Sequence, residues 1–479
     1  MTCRRFAVTK PSFTVAVGAV LTTLFASSPA AAGGYFIGPI GGQALGRGGA
    51  FTAKANDLSA AHYNPAGFAL NKGTHLQLDN KFSYNTLEFQ REPIIDPTGA
   101  TTATFAPVTN TPKFQPLGPL LGVATDFGLD DFGFALVAYA NSGISNLKFP
   151  EDGAQRYLMT ERSGLIVNYS LNAAWRPIPD LAIGVNAQVV AVPELSYQLV
   201  VNGGGELDIA YPVSNRYDVL ATVEGKDLFT LNAIIGAWYR VSPSLELGLS
   251  GQILPSKIET EGPISVRFTD PDVTLMPPTI VRNGAPANGV NIQLPLPQWA
   301  RFGVRYVGRD AKLTETFDIE LDFVYERWSV AERFTVLTND LAVNTTAATI
   351  PLGTINVEKQ WQDVFGVNLG GDYALLDNLK VRAGAYYETA VSKPEYTNVD
   401  FATGAQIGLT AGGTLALGGL RVSLGYEYRF QPDVTTTTAE GQVRQVMPSK
   451  VNPATLPVVN GGTYRSNSHN AMLGLAYRF

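Results

Sequence analysis

The sequence has 479 residues, with 41 acidic and 35 basic side chains, a net charge of −6, three histidines and one cysteine. The acidic balance disfavours nucleic acid as a partner, and a lone cysteine at position 3 gives no disulfide framework. With 48 glycines, 20 tyrosines and few charges, the composition is a poor match to a soluble enzyme. It suits an all-β protein whose strands face something other than water.

Residues 1–32 have the pattern of a secretory leader. Arg4, Arg5 and Lys10 precede an uncharged apolar run over residues 13–25, and small residues follow up to Ala32. This order is typical of a signal peptide that is cleaved after Ala32. The apolar run is shorter than the roughly twenty residues that a membrane-spanning helix needs. Because no later apolar stretch is longer, we expect a mature protein without a helical anchor.

Residues 33–72 form a glycine-rich segment, in which eight of the first 17 residues are glycine. Such a backbone can turn at positive φ and lie close to neighbouring walls. The segment includes Asn64-Pro65-Ala66-Gly67, where Asn64 can cap a short helix that begins at Pro65. Because the segment cannot form a core alone, we predict a plug held inside a larger structure. An ordered N-terminal extension with a turn is the alternative.

Residues 73–479 repeat a period-two pattern, in which apolar residues alternate with small or polar ones. The pattern occurs in fourteen segments, which begin near His75, Leu120, Phe132, Leu165, Leu181, Phe229, Leu245, Ala300, Phe317, Phe365, Leu379, Ile407, Val422 and Ala471. Short turns follow the even-numbered segments, whereas the other connections are mostly long. This alternation predicts an all-β fold, a 14-stranded antiparallel transmembrane β-barrel with an N-terminal lumenal plug. A soluble β-sandwich would not need one apolar face on every strand.

Charged residues indicate which face of each strand points inward. Asp318, Glu320 and Asp322 share one face of the ninth segment. A basic charge at the lipid midplane costs about 2–4 kcal/mol and an acidic charge somewhat less, so this row is predicted to face the lumen. Aromatic residues at strand ends are then predicted to form the interfacial girdles, among them Trp175, Tyr239, Tyr325, Tyr387, Tyr428 and Tyr477.

No pattern in the sequence indicates catalysis. A general base is most often histidine, and His62, His75 and His469 fall in the predicted plug or near strand starts. The sequence has no Gly-x-Ser-x-Gly elbow and no phosphate-binding glycine loop. We therefore predict a protein that is not an enzyme and needs no cofactor or metal. Asp270-Pro271-Asp272 offers oxygen ligands for calcium, with a solvated turn as the simpler interpretation.

Three stretches resemble the FadL/TodX-type outer-membrane channels, a family that takes up long-chain fatty acids or, in the TodX branch, aromatic hydrocarbons. The first is Gly46-Arg47-Gly48-Gly49-Ala50 together with Asn64-Pro65-Ala66-Gly67. The second is Trp361-Gln362-Asp363 with the strands that follow it, through Gly384. The third is the closing Tyr477-Arg478-Phe479, although a terminal aromatic residue is general to outer-membrane barrels.

The resemblance implies a monomeric barrel in the outer membrane of a Gram-negative bacterium, surrounded by outer-membrane lipid. A hydrophobic small-molecule ligand, a fatty acid or a hydrocarbon, would be captured by the outer loops and pass into a lumenal pocket. It would then leave sideways through the wall at a kinked third strand. Asn64, Pro65 and Ala66 of the plug would form the gate, and Gly133 and Gly143 would permit the kink.

Lumenal arginines are the candidates for binding a ligand carboxylate. The alternation along each strand predicts that Arg301, Arg305 and Arg382 face the lumen. The last two of these residues lie nearer strand centres. The alternative for each is an ion pair with a neighbouring strand, which carries residues such as Glu320 and Asp322.

Two other functions remain open at this stage. One is a barrel of the same fold that does not transport and serves as a surface or secretion-partner protein, with loops that bind protein. The other is a porin for polar solutes, which the plug would obstruct. An apolar tunnel from the outer loops to the third strand would favour transport of hydrophobic compounds, since such molecules gain little by re-entering water.

Overall fold

The computed structural model describes residues 34–95, 98–202, 218–345, 349–446 and 456–479. The predicted leader, residues 1–32, lies outside these ranges. No helix in these ranges is long and apolar enough to cross a membrane.

Fourteen strands in these ranges form a closed antiparallel barrel. Each strand pairs with its neighbour in sequence, and β1 also pairs with β14, which closes the sheet. This arrangement confirms the predicted 14-stranded fold. The strands are β1 His75–Arg91, β2 Leu120–Thr125, β3 Phe132–Lys148, β4 Glu161–Ile178, β5 Leu181–Val201, β6 Val219–Ser242, β7 Leu245–Gln252, β8 Trp299–Arg309, β9 Glu315–Glu326, β10 Val364–Leu376, β11 Leu379–Glu388, β12 Gln406–Leu417, β13 Leu420–Thr436 and β14 Gly462–Arg478.

The two faces of the barrel strands differ in polarity, as the alternating pattern predicts. On β1, Leu76 and Leu78 are 45% and 50% exposed, whereas Asp79 and Lys81 are buried. On β9, Ile319 is exposed, whereas the carboxylates of Asp318, Glu320 and Asp322 are almost fully buried. The outer face is therefore apolar, and the acidic row of β9 points into the barrel, where its charges avoid lipid.

The long connections between strands build an outer cap above the barrel. Strands in these connections extend the barrel sheet or form small sheets of their own, and an apolar core of the cap includes Trp328, Phe334 and Trp361. Among the described residues, the cap contains three short 3₁₀ helices, Trp328–Val330, Pro394–Tyr396 and Val399–Phe401. Its strands are Ile94–Ile95, Thr101–Ala103, Val108–Thr109, Phe114–Pro116, Ser256–Phe268, Thr279–Arg282, Ala285–Pro286, Gly289–Leu296, Arg333–Leu337, Ala342–Asn344, Thr349–Pro351 and Ile355–Glu358.

The N-terminal segment, residues 34–74, packs against the inward faces of the barrel strands. It contains the short helices α1 Gly42–Gly46 and α2 Ala60–Tyr63, and the 3₁₀ helix Pro65–Leu70. Helix α1 contacts β12 and β13, while the 3₁₀ helix contacts β3 to β6. The backbones approach so closely that a Cβ atom at Gly370 of β10 would lie 2.0 Å from the Arg47 carbonyl oxygen. Glycine is therefore needed at this position of the wall.

Candidate functional site

Arg47 joins the N-terminal segment to the acidic row of the barrel. Its Nη1 atom lies 2.5 Å from Asp318 Oδ1 and 2.8 Å from Asp372 Oδ1, and its Nη2 atom lies 3.0 Å from Glu320 Oε2. All four side chains are at most 2% exposed. One guanidinium therefore neutralises carboxylates of β9 and β10 in a site that water does not reach.

The residues after Arg47 add further contacts to the same row. Asp322 Oδ2 accepts hydrogen bonds from the Phe51 and Thr52 backbone N–H groups at 2.9 and 3.0 Å and from Thr52 Oγ1 at 2.7 Å. Lys54 Nζ contacts Asp318 and lies 3.2 Å from Asp372 Oδ2. Residues 47–54 are thus held to the barrel wall by charge-assisted bonds. We call this group of contacts the anchor cluster.

Two of the three predicted arginines are held by acids of the wall. Arg305 Nη1 lies 2.6 Å from Glu246 Oε2, and its Nη2 lies 3.1 Å from Asp318 Oδ2. Arg382 Nε lies 3.3 Å from Asp372 Oδ1. Both guanidinium groups are therefore neutralised within the anchor cluster and its surroundings.

Arg301 has different surroundings. Its Nη1 donates to the His62 carbonyl oxygen at 3.0 Å and its Nη2 lies 2.9 Å from His62 Nε2. The guanidinium stacks over the rings of Trp299, at 4.2 Å, and Tyr63. Within the described ranges no carboxylate lies within ion-pair distance of Arg301, so its direct contacts are aromatic faces and neutral acceptors.

Arg301 lines a small interior cavity between the N-terminal segment and the wall. The cavity has a volume of about 40 Å³. Polar side chains from β3, from β8 to β11 and from the N-terminal segment line the cavity. Glycine and apolar residues form the rest of its lining. The lining residues are Phe36, Gly38, Pro39, Gly48, Gly49, His62, Tyr63, Asn141, Arg301, Val324, Glu326, Asn368, Tyr386 and Glu388.

An apolar cavity of about 80 Å³, the outer cavity, lies in the cap. Aliphatic side chains from β5, β6 and the cap strands line it, together with Phe334 and Phe401. At its edge the buried Asp400 carboxylate contacts the Lys359 ammonium and accepts from Tyr197 Oη at 3.2 Å. Burial lowers the pKa of Lys359, and the charge of Asp400 partly offsets this effect. The lining residues are Leu195, Tyr197, Leu199, Val201, Ala221, Val223, Ile264, Ile292, Leu294, Phe334, Val336, Ile355, Val357, Asp400, Phe401 and Val446.

The hydrogen-bond ladder between β3 and β4 is irregular near Asn141. The register shifts between Tyr139 and Ser142 and again between Ile144 and Leu147. The Asn141 carbonyl oxygen instead accepts from the Ile37 N–H of the N-terminal segment at 3.0 Å. At this place a backbone carbonyl group of β3 is therefore bonded to the N-terminal segment.

The two glycines predicted to permit a kink in β3 lie in different surroundings. Gly143 pairs with Leu165 and stands between the two register shifts. Gly133 pairs with Ala174 in a regular part of the ladder, and a Cβ atom there would lie 1.9 Å from the Phe68 carbonyl oxygen. Gly133 therefore allows the N-terminal segment to approach the wall. The sequence also points to this place, because the polar run Asn141-Ser142-Gly143 interrupts the apolar alternation and predicts that the third strand ends or kinks there.

Replacing Gly133 by alanine is expected to destabilise the packing of the 3₁₀ helix on β3 by about 1–3 kcal/mol, because the new methyl group meets backbone atoms. Urea unfolding of the full chain, followed by tryptophan fluorescence, measures the change. Gly413→Ala is the matched control, since its Cβ atom would meet only the Lys380 carbonyl oxygen at 3.3 Å. Equal unfolding midpoints for the two variants would contradict this role of Gly133.

The three predicted gate residues lie together at the start of the 3₁₀ helix. Asn64 Oδ1 accepts from the Ala66 N–H at 3.1 Å, and Asn64 Nδ2 donates to the carbonyl oxygens of Thr52 and Ala237, each at 2.9 Å. Pro65 and Ala66 face Gly184 of β5, where a Cβ atom would lie 2.4 Å from the Ala66 nitrogen. One amide side chain therefore ties the helix start both to the N-terminal segment and to β6.

The described ranges contain no group of three or more His, Cys, Asp or Glu side chains placed to hold a metal ion. In the run considered for calcium, the Asp272 N–H donates to Asp270 Oδ1 at 2.8 Å, which is a local turn.

Residues 23–478 match the profile of a family described as outer membrane protein transport protein (OMPP1/FadL/TodX). The chain belongs to this family. The match confirms the resemblance drawn from the sequence and places the protein in the outer membrane. No curated protein sequence matches the chain.

Solved structures show that the FadL/TodX fold extends over nearly the whole chain. A FadL homologue of Pseudomonas aeruginosa is 15% identical, with a TM-score of 0.72 over 93% of this chain and 100% of that one. The toluene transporter TodX of P. putida is 14% identical, with a TM-score of 0.63 over 93% of this chain and 99% of TodX. The toluene transporter TbuX of Ralstonia pickettii is 13% identical, with a TM-score of 0.59 over 93% of this chain and 99% of TbuX. At these identities the likeness concerns the fold alone.

Proposed function

We propose that the protein takes up hydrophobic compounds through the cap and releases them sideways into the outer membrane near Asn141. The observation that carries this proposal is a series of cavities that share lining residues from the cap to β3. Long-chain fatty acids and aromatic hydrocarbons, the substrates that the resemblance implies, would both travel such a route. Two of the structurally similar proteins, TodX and TbuX, are toluene transporters, which supports an apolar cargo.

The series begins at a cap cavity of about 420 Å³, which shares Tyr197, Ile355 and Val446 with the outer cavity. The outer cavity shares Phe401 with an intermediate cavity of about 120 Å³, which Ile37 and other residues line. The intermediate cavity shares Phe36 with the interior cavity. Small side-chain movements at these shared residues would join the cavities into one route. The intermediate cavity on this route has polar as well as apolar walls, with Asn85, Gln406 and Arg429 among its lining residues.

The exit that we propose lies where the β3–β4 ladder is interrupted. Asn141 lines the interior cavity, and its carbonyl oxygen accepts from the Ile37 N–H of the N-terminal segment. Withdrawal of the N-terminal segment would break this bond and expose the irregular part of the β3–β4 ladder. The segment thus acts as the plug, with Asn64, Pro65 and Ala66 fixing its position, and the closed sheet leaves no strand edge, which supports a monomer.

Of the three arginines predicted to meet a ligand carboxylate, we retain Arg301 for contact with the polar end of a ligand. Arg305 and Arg382 each face a wall carboxylate within 3.3 Å, and a ligand would have to displace it. A surface or secretion-partner role, the alternative above, would need neither an apolar cap cavity nor an interrupted ladder.

Filling the outer cavity tests the route. Ala221→Phe is expected to lower uptake of a radiolabelled hydrophobe by cells expressing the full chain about tenfold, equivalent to about 1.4 kcal/mol, because its ring occupies the cavity. Ala471→Phe adds the same ring to the outward row of β14 and is the matched control. Unchanged uptake by a folded Ala221→Phe protein would refute passage through the outer cavity.

A further inference from the structure

We infer that the interior cavity binds the hydroxyl group of an apolar alcohol or phenol on its way to the wall. This inference rests on the proposed transport route and narrows its substrate class. It follows from two buried polar atoms without partners, from the charges of the lining residues and from the size of the cavity.

The first of these atoms is a hydrogen-bond donor on His62. A guanidinium group only donates hydrogen bonds, so His62 Nε2, which lies 2.9 Å from Arg301 Nη2, must accept. A neutral imidazole then carries its hydrogen on Nδ1. His62 is 5% exposed, and its Nδ1 atom has no hydrogen-bond partner. A residue that lines the cavity therefore carries a buried N–H group without an acceptor.

The second atom is an acceptor on Asn368. This residue of β10 lines the same cavity and is 8% exposed, and its Oδ1 atom has no hydrogen-bond partner. Buried polar atoms are rarely left unpaired in folded proteins. A hydroxyl group both accepts and donates, so a single hydroxyl group within reach of both atoms would supply what each of them lacks.

The charges of the cavity disfavour a carboxylate in the same place. Glu326 and Glu388 line the cavity with Arg301 as the sole cationic lining residue among those described. A ligand carboxylate would add a third acid to this buried site and leave negative charge in excess. A hydrocarbon would satisfy neither the His62 N–H nor the Asn368 oxygen. An uncharged hydroxyl avoids both costs.

The volume of about 40 Å³ fits a polar end group and no more. A water molecule needs about 10–15 Å³ of such space, so the cavity accommodates a hydroxyl group with its first carbon atoms. Because Asn141 is also a lining residue, the apolar body of the ligand would extend toward the interrupted ladder of β3.

A matched series of brominated ligands tests this inference on the full chain in detergent. The series is 4-bromophenol, bromobenzene and 4-bromobenzoate, whose bromine quenches tryptophan fluorescence on contact. Trp299 stacks on Arg301 and Trp328 Nε1 donates to Glu326 Oε2 at 2.7 Å, so both report on the cavity. We expect 4-bromophenol to bind about tenfold tighter than bromobenzene, as two good hydrogen bonds provide, and 4-bromobenzoate to bind more weakly than 4-bromophenol.

Asn368→Leu removes the acceptor at nearly constant volume and is expected to reduce the preference for 4-bromophenol over bromobenzene to less than about threefold. Thr410→Val is the matched control, because Thr410 Oγ1 is also buried without a partner but lies outside the cavity lining. Glu388→Gln tests the effect of the cavity charge separately, and it should strengthen binding of 4-bromobenzoate relative to bromobenzene.

Equal binding of 4-bromophenol and bromobenzene by the unaltered protein would overturn the inference and indicate that the cavity holds only water. Tighter binding of 4-bromobenzoate would overturn it in favour of a carboxylate on Arg301. Both results would leave the transport route intact. Absence of quenching by all three ligands, together with unchanged uptake by Ala221→Phe, would instead refute the route itself.

Discussion

Replacing Arg47 by methionine is expected to release the N-terminal segment from the barrel wall. The change leaves Asp318, Glu320 and Asp372 without their shared guanidinium in a site that is at most 2% exposed. Removing one partner from a buried ion pair typically costs about 3–5 kcal/mol, and here three carboxylates lose the same partner. The strands themselves keep their ladder, so the barrel should persist while residues 34–74 detach.

Two measurements on the purified protein check this expectation. Conductance in planar bilayers should rise when the segment leaves the lumen, and limited proteolysis should cut within residues 34–74. Arg176→Met is the matched control, because Arg176 pairs with Asp131 at 3.2 Å with side chains 27% and 55% exposed. Such an exposed pair is worth about 0–1 kcal/mol. An Arg47→Met protein with the conductance and cleavage pattern of the control would show that the anchor cluster does not hold the segment.

The barrel could be predicted from the sequence because one physical rule governs all fourteen strands. Each strand meets lipid on one face and the lumen on the other, so polarity alternates along the chain wherever a strand crosses. Asp318, Glu320 and Asp322 were placed inward by that rule alone. The cap strands were missed, because they lie above the membrane and their pattern is broken by residues such as Pro263 and Pro295.

The partners of the acidic row could not be predicted in the same way. Sequence parity suggested that arginines on neighbouring strands would pair with Glu320, but Glu320 pairs with Arg47, which lies 273 positions away. Arg305 pairs instead with Glu246 and Asp318. The alternation along a strand indicates which face a residue occupies. It carries no information about how a separate segment folds inside the barrel. The interior cavity could not be predicted for the same reason. His62 of the N-terminal segment and Asn368 of β10 line it together only in the folded protein.

Linking Ile37 to Asn141 should abolish uptake, if release through the wall requires the N-terminal segment to withdraw. The Ile37 N–H is bonded to the Asn141 carbonyl oxygen at 3.0 Å, which brings the two backbones close enough for a disulfide in an Ile37→Cys/Asn141→Cys protein. The sole native cysteine, Cys3, lies in the predicted leader, so the mature variant would form no competing disulfide. Uptake should vanish after oxidation and return when the disulfide is reduced.

A second cysteine pair separates closure of the wall from general stiffening. Thr74 and Thr125, whose hydroxyl oxygens are 3.1 Å apart, fix only the end of the segment where it joins β1. Thr74→Cys/Thr125→Cys should therefore remain active in both redox states. Full uptake by the oxidised Ile37–Asn141 pair would mean that ligand leaves elsewhere, whereas equal loss in both pairs would mean that any tether stops the protein. Loss confined to the first pair, reversed by reductant, would assign the exit to the place where the N-terminal segment contacts the irregular part of the β3–β4 ladder.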